Sequence, residues 1–158
     1  MTDAPERVLI GKLVAAADVL ADGADEALGL IGALPEDAAH FASLDLIERT
    51  AARALLKAVE QQQDVLARLF RTVLIAEAVD VSPMTARDVA NAMEKLGGLD
   101  DAYVWSDLVK LRNRLAHEYP VSPTAQLDRV REAADAVPVL RSILIVVTRL
   151  LAERGYLT

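Results

Sequence analysis

Between Trp105 and Pro120 the chain reads WSDLVKLRNRLAHEYP, bringing a histidine and several cations into one short stretch. His117 is one of only two histidines in 158 residues. An imidazole can move protons near neutral pH, and a guanidinium such as that of Arg112 neutralises charge developing on a phosphoryl group. The pair suits cleavage of RNA by attack of a ribose 2′-hydroxyl on the adjacent phosphate, chemistry that requires no metal ligand set. In this reading His117 is the general acid or base, Arg112 stabilises the phosphorane, and Asn113 orients the imidazole or the phosphate. Lys110 and Arg114 are RNA-binding candidates, and Arg129 and Arg131 could extend their positive patch. One histidine and one arginine make a sparse site, so a two-fold dimer that brings two copies together is expected.

These side chains need a helix to hold them. Val104, Leu108, Leu111 and Leu115 recur at three- and four-residue spacing and predict one buried helix face. At about 100° per residue, Ser106, Lys110, Asn113 and His117 fall on roughly the opposite, wet face. Asn113 and His117 are one turn apart and able to touch. Arg112 lies nearer the edge of the apolar stripe, where its stem can cover apolar neighbours while its head reaches outward. Pro120 disfavours helical dihedrals at Tyr119, so the helix should end near Glu118 and free the Tyr119 hydroxyl for solvent or a partner.

The run Arg112-Asn113-Arg114-Leu115-Ala116-His117-Glu118-Tyr119 resembles the R-x4-H-x-Y signature of HEPN-domain proteins, in the R-N-x-L/V-x-H-x-Y form of the HepT-like branch. A wider similarity in helix order and length spans residues 43–158. The resemblance implies a metal-independent ribonuclease with a composite cleft at a homodimer interface. It further implies a toxin–antitoxin pair whose partner is a minimal nucleotidyltransferase of the MntA kind, able to attach AMP to the motif tyrosine, here Tyr119. A bulky anion beside His117 and Arg112 would block the cleft and pair with its cations. HepT relatives also include bundle proteins that act as substrate-binding partners of nucleotidyltransferases without catalysis. In that alternative the polar helix face docks the partner or its nucleotide.

Composition narrows the setting. Apolar residues are 53% of the chain but aromatics only 4%, which favours helices packed through Ala, Leu and Val over a β-sandwich. A net charge of −7 argues against a protein that coats nucleic acid nonspecifically, so any polyanion needs a local basic patch and its binding should be salt-sensitive. There is no cysteine for a disulfide or thiolate metal site, no cofactor motif, and no histidine or acidic cluster that suggests a metal. The longest apolar runs are shorter than a membrane span and no signal-peptide pattern precedes the globular one, so a cytoplasmic protein is expected.

Along the chain, residues 5–34 read as a helix with a stripe of Val8, Leu9, Leu13, Ala16 and Leu20, packed closely at its glycines or broken near Asp22-Gly23. Residues 1–42 lie outside the resemblance. His40 falls in a connecting segment as a surface or packing residue. A long second helix opens near Ser43 and carries Leu46, Ala54, Leu55, Ala58, Val65, Leu69, Val73 and Ala76, with Gln61, Gln62 and Gln63 at its middle, read as solvated helix surface, with one of them facing a polar cleft as the alternative. Thr85 should cap a short helix that runs to Leu96 and stops at Gly97-Gly98. Trp105 should anchor packing at the next helix start. The last helix runs from Thr124 towards Glu153, kinked or divided at Pro138, with one face in the core and another at a dimer contact. The whole predicts one all-α domain over residues 1–158, an antiparallel up-and-down bundle of about four to five helices, HEPN-like.

Overall fold

The structure, a computed structural model, describes residues 4–118 and 120–158. Among them are six helices and no strand: α1 (Pro5–Ile31), α2 (Ala38–Ala42), α3 (Leu46–Ala76), α4 (Ala86–Leu96), α5 (Ala102–His117) and α6 (Pro123–Glu153). Cross-helix pairs fix their directions. Phe70 of α3 meets Trp105 of α5, while Asp64, earlier in α3, meets Arg112, later in α5. Arg114 and Glu118 at the end of α5 meet Glu132 and Arg129 of α6 in reversed order. Arg141 of α6 reaches Asp22 and Asp25 of α1, whereas Arg131, ten positions earlier, reaches the carbonyls of Pro35 and Glu36 just beyond α1. Neighbouring long helices therefore run antiparallel in the order α1, α3, α5, α6, an up-and-down bundle. Its helix count exceeds the expected four to five through α2, a one-turn helix too short to show periodicity.

Local sequence explains most boundaries. Asp37 caps α2 by accepting from the His40 N–H at 2.8 Å, and Asp45 caps α3 by accepting from the Glu48 N–H at 2.8 Å. Ser43, expected to open the long helix, instead closes α2, its hydroxyl donating to the His40 carbonyl. Thr85 and Asp88 form a reciprocal capping box at the start of α4. The hydrogen bonds from Thr85 hold the Asp88 carboxyl below its ordinary range. Gly97 ends α4 in the left-handed conformation, φ 89°. Gly98 then passes so close to its neighbours that a Cβ there would lie 2.5 Å from Met93 Cε and 2.9 Å from Leu150 Cδ2.

Helices α1 and α3 bury faces other than those expected. Helix α1 runs unbroken through Gly23 and Gly29, and an added Cβ at either would meet nothing within 4 Å, so neither is a close-packing position. The close approach uses Ala17, Ala21, Ala24 and Ala27, in line with Ile10, Leu13 and Val14. Val8 and Leu9 stay exposed and only Leu13 of the expected stripe is buried, because α1 is apolar on more than one side and its neighbours choose the face. In α3, Gln62 is 0% and Gln63 4% exposed, so both are core residues, while Leu46 and Ala54 face solvent. Neither polar atom of the Gln62 amide has a hydrogen-bond partner among the described residues.

Helix α6 continues undivided through Pro138, which lies on its exposed side. Ile143, Leu144 and Val147 enter the core and Ile145 stays 55% exposed. Residues from α1 to α6 join one hydrophobic cluster, in which the Phe70 and Trp105 rings lie 4.6 Å apart at 53°. No helix among the described residues is long and apolar enough to cross a membrane.

Candidate functional site

Helix α5 forms because Asp101 caps it, accepting from the Tyr103 N–H at 2.8 Å, and because Glu94 accepts from the Ala102 N–H at 2.6 Å. Its buried face is Ala102, Trp105, Leu108 and Leu111. Leu115 is half-buried, and Val104, expected on that face, is 38% exposed because Trp105 takes the core position beside Phe70. The helix stops where Pro120 implies: Glu118 is extended, φ −105° and ψ 130°, and its N–H donates to the Arg114 carbonyl at 2.9 Å. His117 is thereby the last helical residue, at the negative end of the helix dipole.

Arg112 points from the edge of the apolar stripe to α3. Its Nε donates to Asp64 Oδ1 at 2.7 Å and Nη2 to Oδ2 at 3.2 Å, a two-point pairing along one side of the guanidinium. These bonds hold the guanidinium pKa above its ordinary value despite partial burial, and the charges of Asp64 and Glu60 add to the effect. Nη1 has only a long contact, 3.4 Å, to Asn113 Oδ1. The outer Nη1–Nη2 edge is thus the one left for a phosphate, in an orientation set by Asp64.

Asp64 was not a sequence candidate. It lies 48 positions from Arg112, and its one local hint is an acidic residue following three glutamines midway along a long helix, two of which prove buried.

The other candidates divide. His117, Asn113 and Lys110 are exposed, and the His117 ring has no hydrogen-bond partner among the described residues. Asn113 Oδ1 accepts from Arg112, and no hydrogen bond joins Asn113 to His117 among the described residues. Five positions on one helix put Arg112 and His117 about 140° apart around its axis, so they do not converge within a protomer. Arg114 pairs with Glu132, and Arg129 with Glu118 at 2.6 Å and Glu132 at 3.5 Å, so these cations are largely neutralised locally. Arg131 turns away from α5 to the carbonyls of Pro35 and Glu36 and does not extend the patch. Tyr119 lies outside the described residues. Among the described residues no group of three His, Asp or Glu side chains could hold a metal ion.

The resulting site is one guanidinium preset by a carboxylate, one solvent-facing imidazole at a helix end, and an amide between them. Such a set can bind a phosphodiester at one point and exchange a proton at another, provided a second surface brings the two together. No family model matches this chain, and no curated protein or solved structure does either.

Proposed function

We propose that the chain is a metal-independent endoribonuclease of the HepT kind, the toxin of a pair whose antitoxin is an MntA-like minimal nucleotidyltransferase. The observation that carries the reading is the Arg112-Asn113-x-Leu115-x-His117-x-Tyr119 sequence run, whose residues from Arg112 to His117 form the C-terminal end of a bundle helix. In the proposed mechanism Arg112 holds the scissile phosphate on its outer edge and stabilises the charge of the phosphorane. His117 takes the 2′-hydroxyl proton, or gives one to the departing 5′-oxygen. Because Arg112 and His117 diverge on one helix, the working groove combines the α5 ends of two protomers in a homodimer. Tyr119 is the proposed AMP acceptor by which the partner silences the site, and the enzyme acts in the cytoplasm.

A second reading has its own support. Arg112, Arg114 and Arg129 already have carboxylate partners within the protomer, as suits a non-catalytic bundle that docks a nucleotidyltransferase. Analysis of product ends separates the two. The ribonuclease leaves 2′,3′-cyclic phosphate termini on RNA incubated in excess chelator, and expression without the partner arrests growth. Uncut RNA at high enzyme concentration and unimpaired growth would leave the binding role standing.

A further inference from the structure

The exposed face of α5 carries more than the histidine. Tyr103, Lys110 and His117 recur at seven-residue spacing, which places them within about 40° of one another around the helix axis. All three are exposed. Tyr103 is 72% exposed and is the one exposed aromatic residue among those described. Phe41, Phe70 and Trp105 are buried, and Tyr156 is half-buried with its hydroxyl donating to Glu77. Arg87, in the first turn of α4, lies over the Tyr103 ring, its guanidinium carbon 5.5 Å from the ring centroid. Neither Arg87 nor Lys110 has a carboxylate partner among the described residues. The ring thus serves no core, is held by a cation, and stands in line with a second cation and the imidazole.

We infer that Tyr103, backed by Arg87, is a stacking platform for an unpaired base of an RNA strand whose backbone follows Lys110 to His117. The inference rests on the ribonuclease reading for its ligand, and adds the path of the strand and the feature that is recognised, an unpaired tract beside the cut. Stacking on an aromatic ring tolerates any sequence because every base has a π-face, and the arginine adds a cation–π contribution. Tyr103 and His117 are fourteen positions apart, about 21 Å along the axis. A strand covers that length in about six nucleotides at a stacked spacing of about 3.4 Å, and in about half as many when extended. Lys110, midway, meets a backbone phosphate as a point charge. Asp107 lies about 40° to one side of Tyr103, so the strand keeps to the other side, where Ser106 and Asn113 offer neutral polar groups. Asp100 and Asp101, exposed just before α5, repel a backbone that continues past the ring, so Tyr103 takes the far end of the contacted tract. A duplex keeps its base faces stacked inside and offers the ring none, so the ligand is single-stranded.

The probe is a single-stranded RNA of about twelve nucleotides carrying 2-aminopurine, whose fluorescence is quenched on stacking, bound to the full chain with His117→Ala so that it stays uncut. Binding should quench it. Adding Tyr103→Ala should abolish the quench and weaken binding about tenfold, whereas Tyr103→Phe, which keeps the π-face, should stay within about twofold. Lys110→Gln should weaken binding about threefold and lower its salt slope by about one. Tyr103 is exposed and only its backbone N–H bonds to Asp101, so its variants should keep their helical circular dichroism. With the imidazole in place, Tyr103→Ala should raise KM for cleavage about tenfold and change kcat by less than about twofold, because stacking holds substrate and transition state alike. Tyr103-dependent quenching by a protein that cuts no RNA would sustain the platform and contradict the ribonuclease reading. Cleavage with an unchanged KM in folded Tyr103→Ala would overturn the platform and leave the ribonuclease standing. No quench, equal affinity in Tyr103→Ala, or equal losses in the Ala and Phe variants would also overturn the inference.

Discussion

Replacing Asp64 by Asn tests whether the carboxylate on α3 is what aims Arg112. The substitution keeps the shape, removes the charge and leaves one acceptor where there were two. The Arg112 and Asp64 side chains are 28% and 42% exposed, so solvent screens the pair and its worth falls well below that of a buried one. Two charge-assisted bonds in good geometry, discounted for that exposure, contribute about 1 kcal/mol. In a chain of this length that corresponds to a melting temperature lower by about 2–4 °C. At 25 °C the variant remains folded, so any larger effect on RNA cleavage has to come from the site. Freed from Asp64, the guanidinium samples several orientations, and kcat should fall about tenfold while the helical spectrum is unchanged. Arg112→Lys, which keeps the charge but loses the planar fork, should fall further, by about a hundredfold. The assay is single-turnover cleavage in chelator alongside thermal denaturation. Parental cleavage by Asp64→Asn, with Arg112→Ala inactive, would show that Arg112 needs no aiming and would refute the positioning argument.

Three further outcomes follow from the fold. Ala78, just past α3, is held at φ 61°, where an L side chain costs about 1–2 kcal/mol, so Ala78→Gly should raise stability in urea by about 1 kcal/mol; a loss would mean the strain is already relieved. Gln62→Met fills a similar volume without an unpaired buried amide and should stabilise by about 1–2 kcal/mol, whereas destabilisation would reveal ordered water on that amide. Asp88 is held below its ordinary pKa of 3.8 by Thr85, so its contribution to the α4 start is fully present above that value and is lost as pH falls below it through the folded value. The protection of the Val89 amide, its exchange rate relative to the intrinsic rate at the same pH, should therefore fall in acid in the parent, and Asp88→Asn should flatten that dependence; identical profiles would remove the carboxylate from the explanation.

What could be read in advance was local. The cap at Thr85, the stop at Gly97, the end of α5 before Pro120 and the anchoring role of Trp105 each depend on a few neighbouring residues and a fixed backbone geometry. The all-α class and the antiparallel order followed from long periodic segments joined by short connections. Choices between nearly equal faces were not legible. Helix α1 is rich in alanine and valine around much of its circumference, so the buried line through Ala17, Ala21 and Ala24 is selected by the neighbouring helices and not by α1 itself. The burial of Gln62 runs against its side-chain chemistry for the same reason: a position one turn from Leu66 and Val59 is drawn in with them. The partnership of Arg112 with Asp64 is a long-range contact that no motif spacing encodes. It sets the orientation of a guanidinium that the sequence places only at the edge of the apolar stripe, reaching outward.

The most direct test is a single comparison: purified parent and His117→Ala, each shown by light scattering to have the same mass, incubated with RNA in excess chelator. The account predicts a dimer that cuts RNA as the parent and loses at least about a hundredfold in rate without the imidazole. Equal rates for the two proteins, or a monomer that cuts at full speed, would contradict it.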